Sequence, residues 1–462
     1  MRTRTEKDPL GKKKVPSEAL YGVHTQRARE NFRISGNTLP KEIFHAIALL
    51  KIAAAQANSS LKFLENKKAN LIIRAAKEIK KGNHDKHLVI DAFQAGMGTP
   101  THMNVNEVIA NRALELAGKR RGQYSYIHPY DDVNMGQSTN NIVPSAIKIV
   151  AYDKTIDLLQ ALDNLQKALR DKSKQFKNIT KSGRTHLQDA VPITLGQEFH
   201  AYATSTADNM KRLLQALPSL KELNAGRNAI GTGVNTHPKF TKKICNNLSK
   251  LTHTKWTPSR DPIQATQSAT VFFALSSNLR LLANDLTKLA NDLRLMSSGP
   301  RTGINELYLP AVEPGSSIMP GKINPSMAEM LNMVCFQVMG NDEAISLAAQ
   351  AGQLELNVMM PLIGKNLLES IDLLTNAISA FTKRCVKGIK VNKKACKYYL
   401  EHSTGLATLL NPYVGYDAAA ELVKEMLRTG KSLTNLIREK KLLSEKDLKN
   451  LLNPKNITSP NK

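Results

Sequence analysis

Apolar residues recur at three- and four-residue spacing through several long stretches that contain neither glycine nor proline. Ser145–Ser182 and Ile263–Ser298 are the longest, followed by Gln197–Leu217 and Lys365–Lys387. Leu281, Leu282, Leu286, Leu289 and Leu293 form one such series. This is helix periodicity, and at 1.5 Å per residue the two longest helices would reach roughly 50 Å. Helices of that length do not fold back within a compact globule and suit a long bundle. Ala, Ser and Thr are frequent on them, as in ATQSATVFFALSSN, which permits close helix approach. The pattern predicts a mainly all-α protein whose bundle is shared between copies in a homo-oligomer. A monomeric elongated bundle is the alternative.

Strand signals are scarce, with short extended pieces expected near Val15–Val23 and Leu307–Ala311. From about residue 395 the text reads as a separate small helical unit, with short helices in YDAAAELVKEMLRTG and LLSEKDLKNLL behind the turn signal NPYVGYD. The last residues, PKNITSPNK, are expected to fray. There are no internal repeats.

Composition narrows the class. The chain has 462 residues, 41% hydrophobic and 23% charged, which fits a globular protein of about three domains. The net charge is +26. That balance suits anionic partners, but the lysines are spread over the whole chain as solvated helix faces, and no nucleic-acid motif accompanies them. The four cysteines, Cys245, Cys335, Cys385 and Cys396, form no CxxC pair and no zinc spacing. The start, MRTRTEKDPLG, has no apolar h-region, and no uncharged apolar run approaches the ~20 residues needed to cross a bilayer. A cytoplasmic location without membrane contact follows as the expectation.

Four Gly/Pro-punctuated loops interrupt the helices. The first is GMGTPTHMNVNE from Gly96, in which Asn104 to Glu107 has capping-box spacing and predicts a helix start, with Thr99 in the loop before it. The second is GQSTNN from Gly136, the third GRTHLQDAVP from Gly183, and the fourth GSSIMPGKINP from Gly315. Ser, Thr and Asn before helices are usually caps, and Asn324-Pro325 fits an N-cap with proline at the first helical position. Taken as a set, the loops allow more. Helix N-termini present free N–H groups and partial positive charge. Several of them, with hydroxyls, His186 and Lys322, make a site for a small dicarboxylate. Lys322 supplies a point charge, and Ser316 beside Gly315 sits where successive N–H groups form an anion-stabilising nest. His24, His128 and His237 read as packed or hydrogen-bonded residues, and Met97, Met103, Met359 and Met360 as packing residues.

GSSIMPGKIN resembles the GSSxMPxKxN signature of the aspartase/fumarase superfamily. GMGT, GQSTN and GRTHLQDAVPITLGQEF are similar to that superfamily's other characteristic regions, in the same order, and the similarity runs from about Arg4 to Asn453. YGVHTQRARENF, NDLRLMSSGP, AGQLELNVM and QSTN are similar to the aspartate ammonia-lyase branch. HPYDDVN, NTHPKF and VGYDAAAE look like class II fumarate hydratase. The resemblance implies a three-domain subunit, divided as 1–138, 139–394 and 395–462, and a homotetramer with a twenty-helix core. It implies active sites shared between three subunits. It carries the catalytic base onto Ser316, carboxylate binding onto Lys322 and Asn324, and the remaining substrate contacts onto Thr99, Ser138, Thr139, Asn140, Thr185 and His186. Glu329 matches the carboxylate partner of the histidine, and Arg27 is an electrostatic candidate.

The implied reaction is reversible elimination of ammonia from L-aspartate to give fumarate. No metal or organic cofactor is implied, a divalent cation entering only as an activator. Hydration of fumarate is the second reading, and a non-catalytic anion-binding or structural role the third. Three positions depart from the family pattern: Asn141 stands for an Asp, His102 for an Asn, and Tyr130 for the Asn of the HPNDD motif. The first two bear on substrate choice and turnover.

Overall fold

The computed structural model describes residues 2–460. The chain is mainly helical, as the periodicity predicts. The helices are α1 Val23–Asn31, α2 Lys41–Ser60, α3 Asn66–Lys80, α4 Thr99–Leu116, α5 Thr139–Gln175, α6 Leu195–Leu220, α7 Phe240–Thr252, α8 Gln264–Gln267, α9 Thr270–Met296, α10 Ser326–Gln350, α11 Met360–Arg384 and α12 Lys393–His402. They continue with α13 Asn411–Val414, α14 Tyr416–Thr429, α15 Leu433–Glu439, α16 Glu445–Leu451 and α17 Pro454–Ile457. Strands form short pairs only: β1 Thr3–Asp8 with β2 Gly11–Pro16, β3 Thr180–Thr185 with β4 Gln188–Thr194, β5 Glu222–Leu223 with β6 Thr257–Pro258, and β7 Leu307–Tyr308 with β8 Lys390–Val391. No helix among the described residues is long and apolar enough to cross a membrane.

The prolines do not bound the helices as expected. Pro144 is the sixth residue of α5, so the helix runs through it at the cost of the bond its missing N–H cannot give to the Asn140 carbonyl four residues back. Pro218 sits near the end of α6, and α11 begins at Met360 with Pro361 in its first turn. The Ile263–Ser298 stretch is two helices, because Ser268 takes an extended conformation between α8 and α9.

The described residues fall into two compact units. The first takes those of Met1–Leu158, Arg212–Leu281 and Gln337–Leu374. Its core stacks Ile43, Phe44, Ile47 and Leu50 of α2 with Ile72 and Ile79 of α3, Val105, Val108 and Ile109 of α4, and the early residues of α5. Gly364 of α11 shows how tightly the helices meet: a Cβ there would lie 2.8 Å from Ile147 Cδ1. The second unit takes the described residues of Leu159–Lys211, Leu282–Phe336 and Thr375–Lys462. There Leu162, Leu165, Leu169, Phe199, Leu286, Leu289, Leu293, Ile378 and Phe381 are buried, and Phe176 meets Phe199 edge-on at 5.3 Å. Of the predicted leucine series, Leu281 alone faces outward.

Residues after 402 build a small core of their own from Leu406, Leu410, Leu422, Leu433, Leu436 and Ile437. Gly430 ends α14 in a left-handed conformation, and Ser444 caps α16 by accepting from Asp447 N–H. The tail is more ordered than the sequence suggested. Asn453 caps α17, Ile457 is buried, and Gln197 Nε2 donates to the Thr458 carbonyl. Asn461 and Lys462 lie outside the described residues. All four cysteines are free and buried.

Candidate active site

In the first unit, α4 begins six residues earlier than the capping-box spacing predicts. Gly98, at φ +83°, caps it, so Thr99 is its first residue and Asn104 and Glu107 lie inside it. Glu107 caps a different helix. Its carboxylate accepts from the N–H groups of Gly22 (2.9 Å), His24 (2.8 Å) and Thr25 (3.1 Å) at the start of α1. Burial pushes its carboxyl up to about 7. Asn104 accepts instead from Val89 N–H. The GMG turn is pinned by Met97 N–H donating to the Val358 carbonyl, and a Cβ at Gly96 would lie 2.9 Å from Val358 Cβ.

Ser138 starts α5, its hydroxyl accepting from Asn140 N–H at 3.3 Å and its carbonyl from Asn141 and Ile142 N–H. Asn140 Nδ2 donates to the Ala229 carbonyl. Thr99, Ser138 and Thr139 line one cavity of about 520 Å3 together with His24, Tyr130 and Asn134. Burial holds the His24 imidazole below its ordinary range and pushes the Tyr130 phenol up to about 12. Beneath this cavity Thr139 Oγ1 meets His102 Nδ1 at 2.8 Å, His102 Nε2 meets Lys51 Nζ at 2.7 Å, and Lys51 Nζ donates to Asn134 Oδ1 at 2.8 Å. Lys51 is fully buried. Sequence reading missed it; the signal was a lone lysine in the apolar run AIALLKIAAA. Asn141, also fully buried, donates to Thr266 Oγ1 at 3.2 Å, a neutral bond where the family pattern has a charge. Arg27 spends its fork on Asp8, at 2.8 and 3.0 Å.

In the second unit, the GRTH region is not a plain loop but the β3–β4 hairpin. Its inward residues are Lys181 and Ser182, both buried and polar, so no apolar alternation announces a strand. Thr185 pairs with Gln188 across a two-residue turn of His186 and Leu187, at φ +54° and +58°. Positive φ at both centres is the type I′ geometry, normally given to Asn and Gly, and a non-glycine residue there costs about 1 kcal/mol or more. The turn leaves Thr185 and His186 exposed at the tip. Under the hairpin, the fully buried Glu306 receives Arg184 Nη1 at 2.9 Å and stands 2.7 Å from Lys181 Nζ, which also donates to Glu198 at 3.0 Å.

The GSS loop closes on itself: Gly315 N–H donates to the Lys322 carbonyl at 2.8 Å. A Cβ at Gly315 would lie 2.6 Å from that oxygen. Asn324 is not a side-chain cap; its Nδ2 donates back to the Gly315 carbonyl at 2.7 Å, fixing the loop's far end. Ser316 Oγ accepts from Ile318 N–H (3.2 Å) and Met319 N–H (3.0 Å). Hydrogen bonds to the charged form of an acid favour that form, so two converging donors ease deprotonation of the hydroxyl. Ser316 and Lys322 line a second cavity, about 550 Å3, and Lys322 is exposed there. Glu329 lies in the first turn of α10, and among the described residues no hydrogen bond or ion pair joins it to His186.

The hydroxyl-rich helix starts thus belong to the first unit, and the GRTH tip and the GSSIMPGKIN loop to the second; the comparisons supply the family. The family model described as Lyase matches residues 11–340, and that described as Fumarase C C-terminus matches 406–459. The chain is 44% identical to aspartate ammonia-lyase of Bacillus subtilis, over 99% of this chain and 96% of that one. It is 46% identical to aspartate ammonia-lyase of Pseudomonas aeruginosa, over 99% and 97%. Among solved structures it is similar to a fumarate lyase:delta crystallin from Brucella melitensis bound to cobalt, with TM-score 0.95, 42% identity, and 99% and 100% of the two chains covered. It is also similar to a recombinant class II fumarase from Schistosoma mansoni, with TM-score 0.96, 37% identity and both chains covered in full. With one family model spanning most of its length and relatives of this identity covering nearly all of it, the chain belongs to the aspartase/fumarase superfamily of lyases.

Proposed function

We propose that the protein catalyses the reversible deamination of L-aspartate to fumarate and ammonia, as a cytoplasmic homotetramer whose active sites draw on three subunits. The observation that carries the chemistry is Ser316 Oγ held by two backbone N–H donors in a closed loop beside Lys322. The relatives favour aspartate over malate as substrate. Large apolar residues left exposed on the long helices, Leu214, Leu281, Leu295, Met333, Phe336 and Leu347, support burial against further copies. The four unbridged cysteines suit a reducing compartment.

In this reading Ser316 removes the C3 proton. The electron pair moves into the adjacent carboxylate, giving an enediolate-like dianion, and then expels ammonia from C2 as the double bond forms. Fixed donors aimed at that developing charge are the largest catalytic contribution. Lys322, Asn324 and the helix starts at Thr99 and Ser138–Asn140 supply them. Thr185 and His186 close over the substrate, with Glu329 of a neighbouring copy orienting the imidazole. No metal or organic cofactor takes part in these steps, a divalent cation acting as an activator only. The subunit is divided into three domains at 138/139 and 394/395.

The test follows the ultraviolet absorbance of fumarate with purified protein. Loss of absorbance that depends on ammonium supports deamination; loss with water alone supports the hydratase reading, which the class II fumarase likeness favours. Ser316→Ala is expected to lower kcat by about 100-fold or more and to keep binding succinate. A Ser316→Ala variant with undiminished kcat refutes the assignment of the base.

A further inference from the structure

We propose that Lys51 and His102 form a buried relay that fixes the Thr139 hydroxyl as a hydrogen-bond donor toward a substrate carboxylate. This rests on the dicarboxylate site proposed above and adds a specificity-determining pair to it. Lys51 is fully buried, His102 is 1% exposed, and no carboxylate pairs with either among the described residues. Such a group is costly to bury unless its hydrogen bonds are all put to use.

The polarity of the chain follows from what each atom can do. An amino group places hydrogens on its acceptors, and Lys51 Nζ has two neighbours: Asn134 Oδ1 at 2.8 Å and His102 Nε2 at 2.7 Å. Asn134 is held oxygen-inward because its Nδ2 donates to the Gln137 carbonyl at 3.0 Å. Whether the amine carries two hydrogens or three, it can give one to each acceptor. Nε2 of His102 is then the acceptor, so the ring proton sits on Nδ1. Nδ1–H donates to Thr139 Oγ1 at 2.8 Å. With that oxygen occupied from below, the hydroxyl proton has no carbonyl to turn to within the described residues. It points into the cavity that Thr139 lines with Thr99 and Ser138. Burial holds both Lys51 and His102 well below their ordinary ranges, which keeps the imidazole neutral. A neutral imidazole with one donor and one acceptor is what the relay requires.

The relay touches no reacting atom, so His102 and Lys51 are positioning residues. Loss of one hydrogen bond to a charged ligand is expected to weaken binding roughly 10- to 100-fold. His102→Phe and Thr139→Val are each expected to weaken succinate binding, measured by calorimetry, by that factor. The double variant is expected to be no weaker than Thr139→Val alone. In turnover, His102→Phe raises KM for aspartate much more than it lowers kcat. His102→Gln, which keeps one acceptor and one donor, restores most of the loss. Melting curves check that each variant folds. Independently of any variant's fold, 15N spectra of histidine-labelled wild-type protein report the His102 tautomer: a proton on Nδ1 is expected, and a proton on Nε2 overturns the relay. Unchanged succinate affinity in folded His102→Phe, or losses that multiply in the double variant, also overturns it. Protein that turns over aspartate but fails these arms sinks the relay alone. Protein that shows the succinate pattern yet forms no fumarate sinks the elimination reading and leaves the relay standing.

Discussion

Glu306→Gln tests how the hairpin bearing Thr185 and His186 is held in place. Glu306 is fully buried, with Lys181 at 3% and Arg184 at 18% side-chain exposure around it. The substitution keeps the shape and removes the negative charge. Lys181 then shares only Glu198, which is half-buried and itself raised by burial. Breaking a buried ion pair from one side costs about 3–5 kcal/mol. The lower end applies, because Lys181 keeps one carboxylate and Arg184 keeps some water. A loss of about 3 kcal/mol corresponds to roughly a 100-fold fall in the folded-to-unfolded ratio. Urea unfolding followed by circular dichroism reads this as a lower midpoint at unchanged slope. Because Arg184 directly precedes Thr185 in β3, KM for aspartate is expected to rise as well. A midpoint within about 0.5 kcal/mol of wild type would show that Glu306 is no more than neutral there, and the account of the hairpin's anchoring would fall.

Other substitutions probe separate contacts. Gly405→Ala would place a Cβ 2.2 Å from the Ala190 carbonyl of β4; a cost of about 1–3 kcal/mol should appear in the melting temperature, and a wild-type melt would contradict the packing. Lys322→Met should raise KM for aspartate about 10- to 100-fold with the secondary structure intact by circular dichroism. For pH, the Arg112 guanidinium, followed by the opposing effect of burial and by His84, holds Glu78 below its usual 4.5. A depressed carboxyl stabilises the fold above its unfolded pKa, and that contribution is lost as pH falls through the folded value. Acid titration of stability should therefore be shallower in Glu78→Gln than in wild type on the acid side of 4.5.

The long helices were legible because a helix needs only a repeating apolar face, and α5, α6, α9 and α11 carry one. Their ends were less so. Pro144 bounds the Gly/Pro-free stretch, yet α5 already begins at Thr139 and runs through the proline. The Asn104–Glu107 spacing matched a capping box, but the carboxylate reaches across to α1, a partner more than eighty positions away in sequence. The hairpin was hidden because polar residues fill its buried side. Lys51 was missed, since nothing local in the sequence told that His102 and Asn134 would meet it. Ser316, by contrast, was singled out through a motif, and Gly315 and Asn324 of that motif close the loop that carries it.

The buried thiols carry a practical corollary. Burial lifts Cys245, Cys385 and Cys396 to about 12 and Cys335 to about 11, so almost none is thiolate, the species that alkylating reagents attack, at neutral pH. Labelling therefore reports opening of the chain rather than the native surface. Incubation with a maleimide becomes a clock for how often each helix loosens, and storage without reductant should leave the folded protein chemically intact.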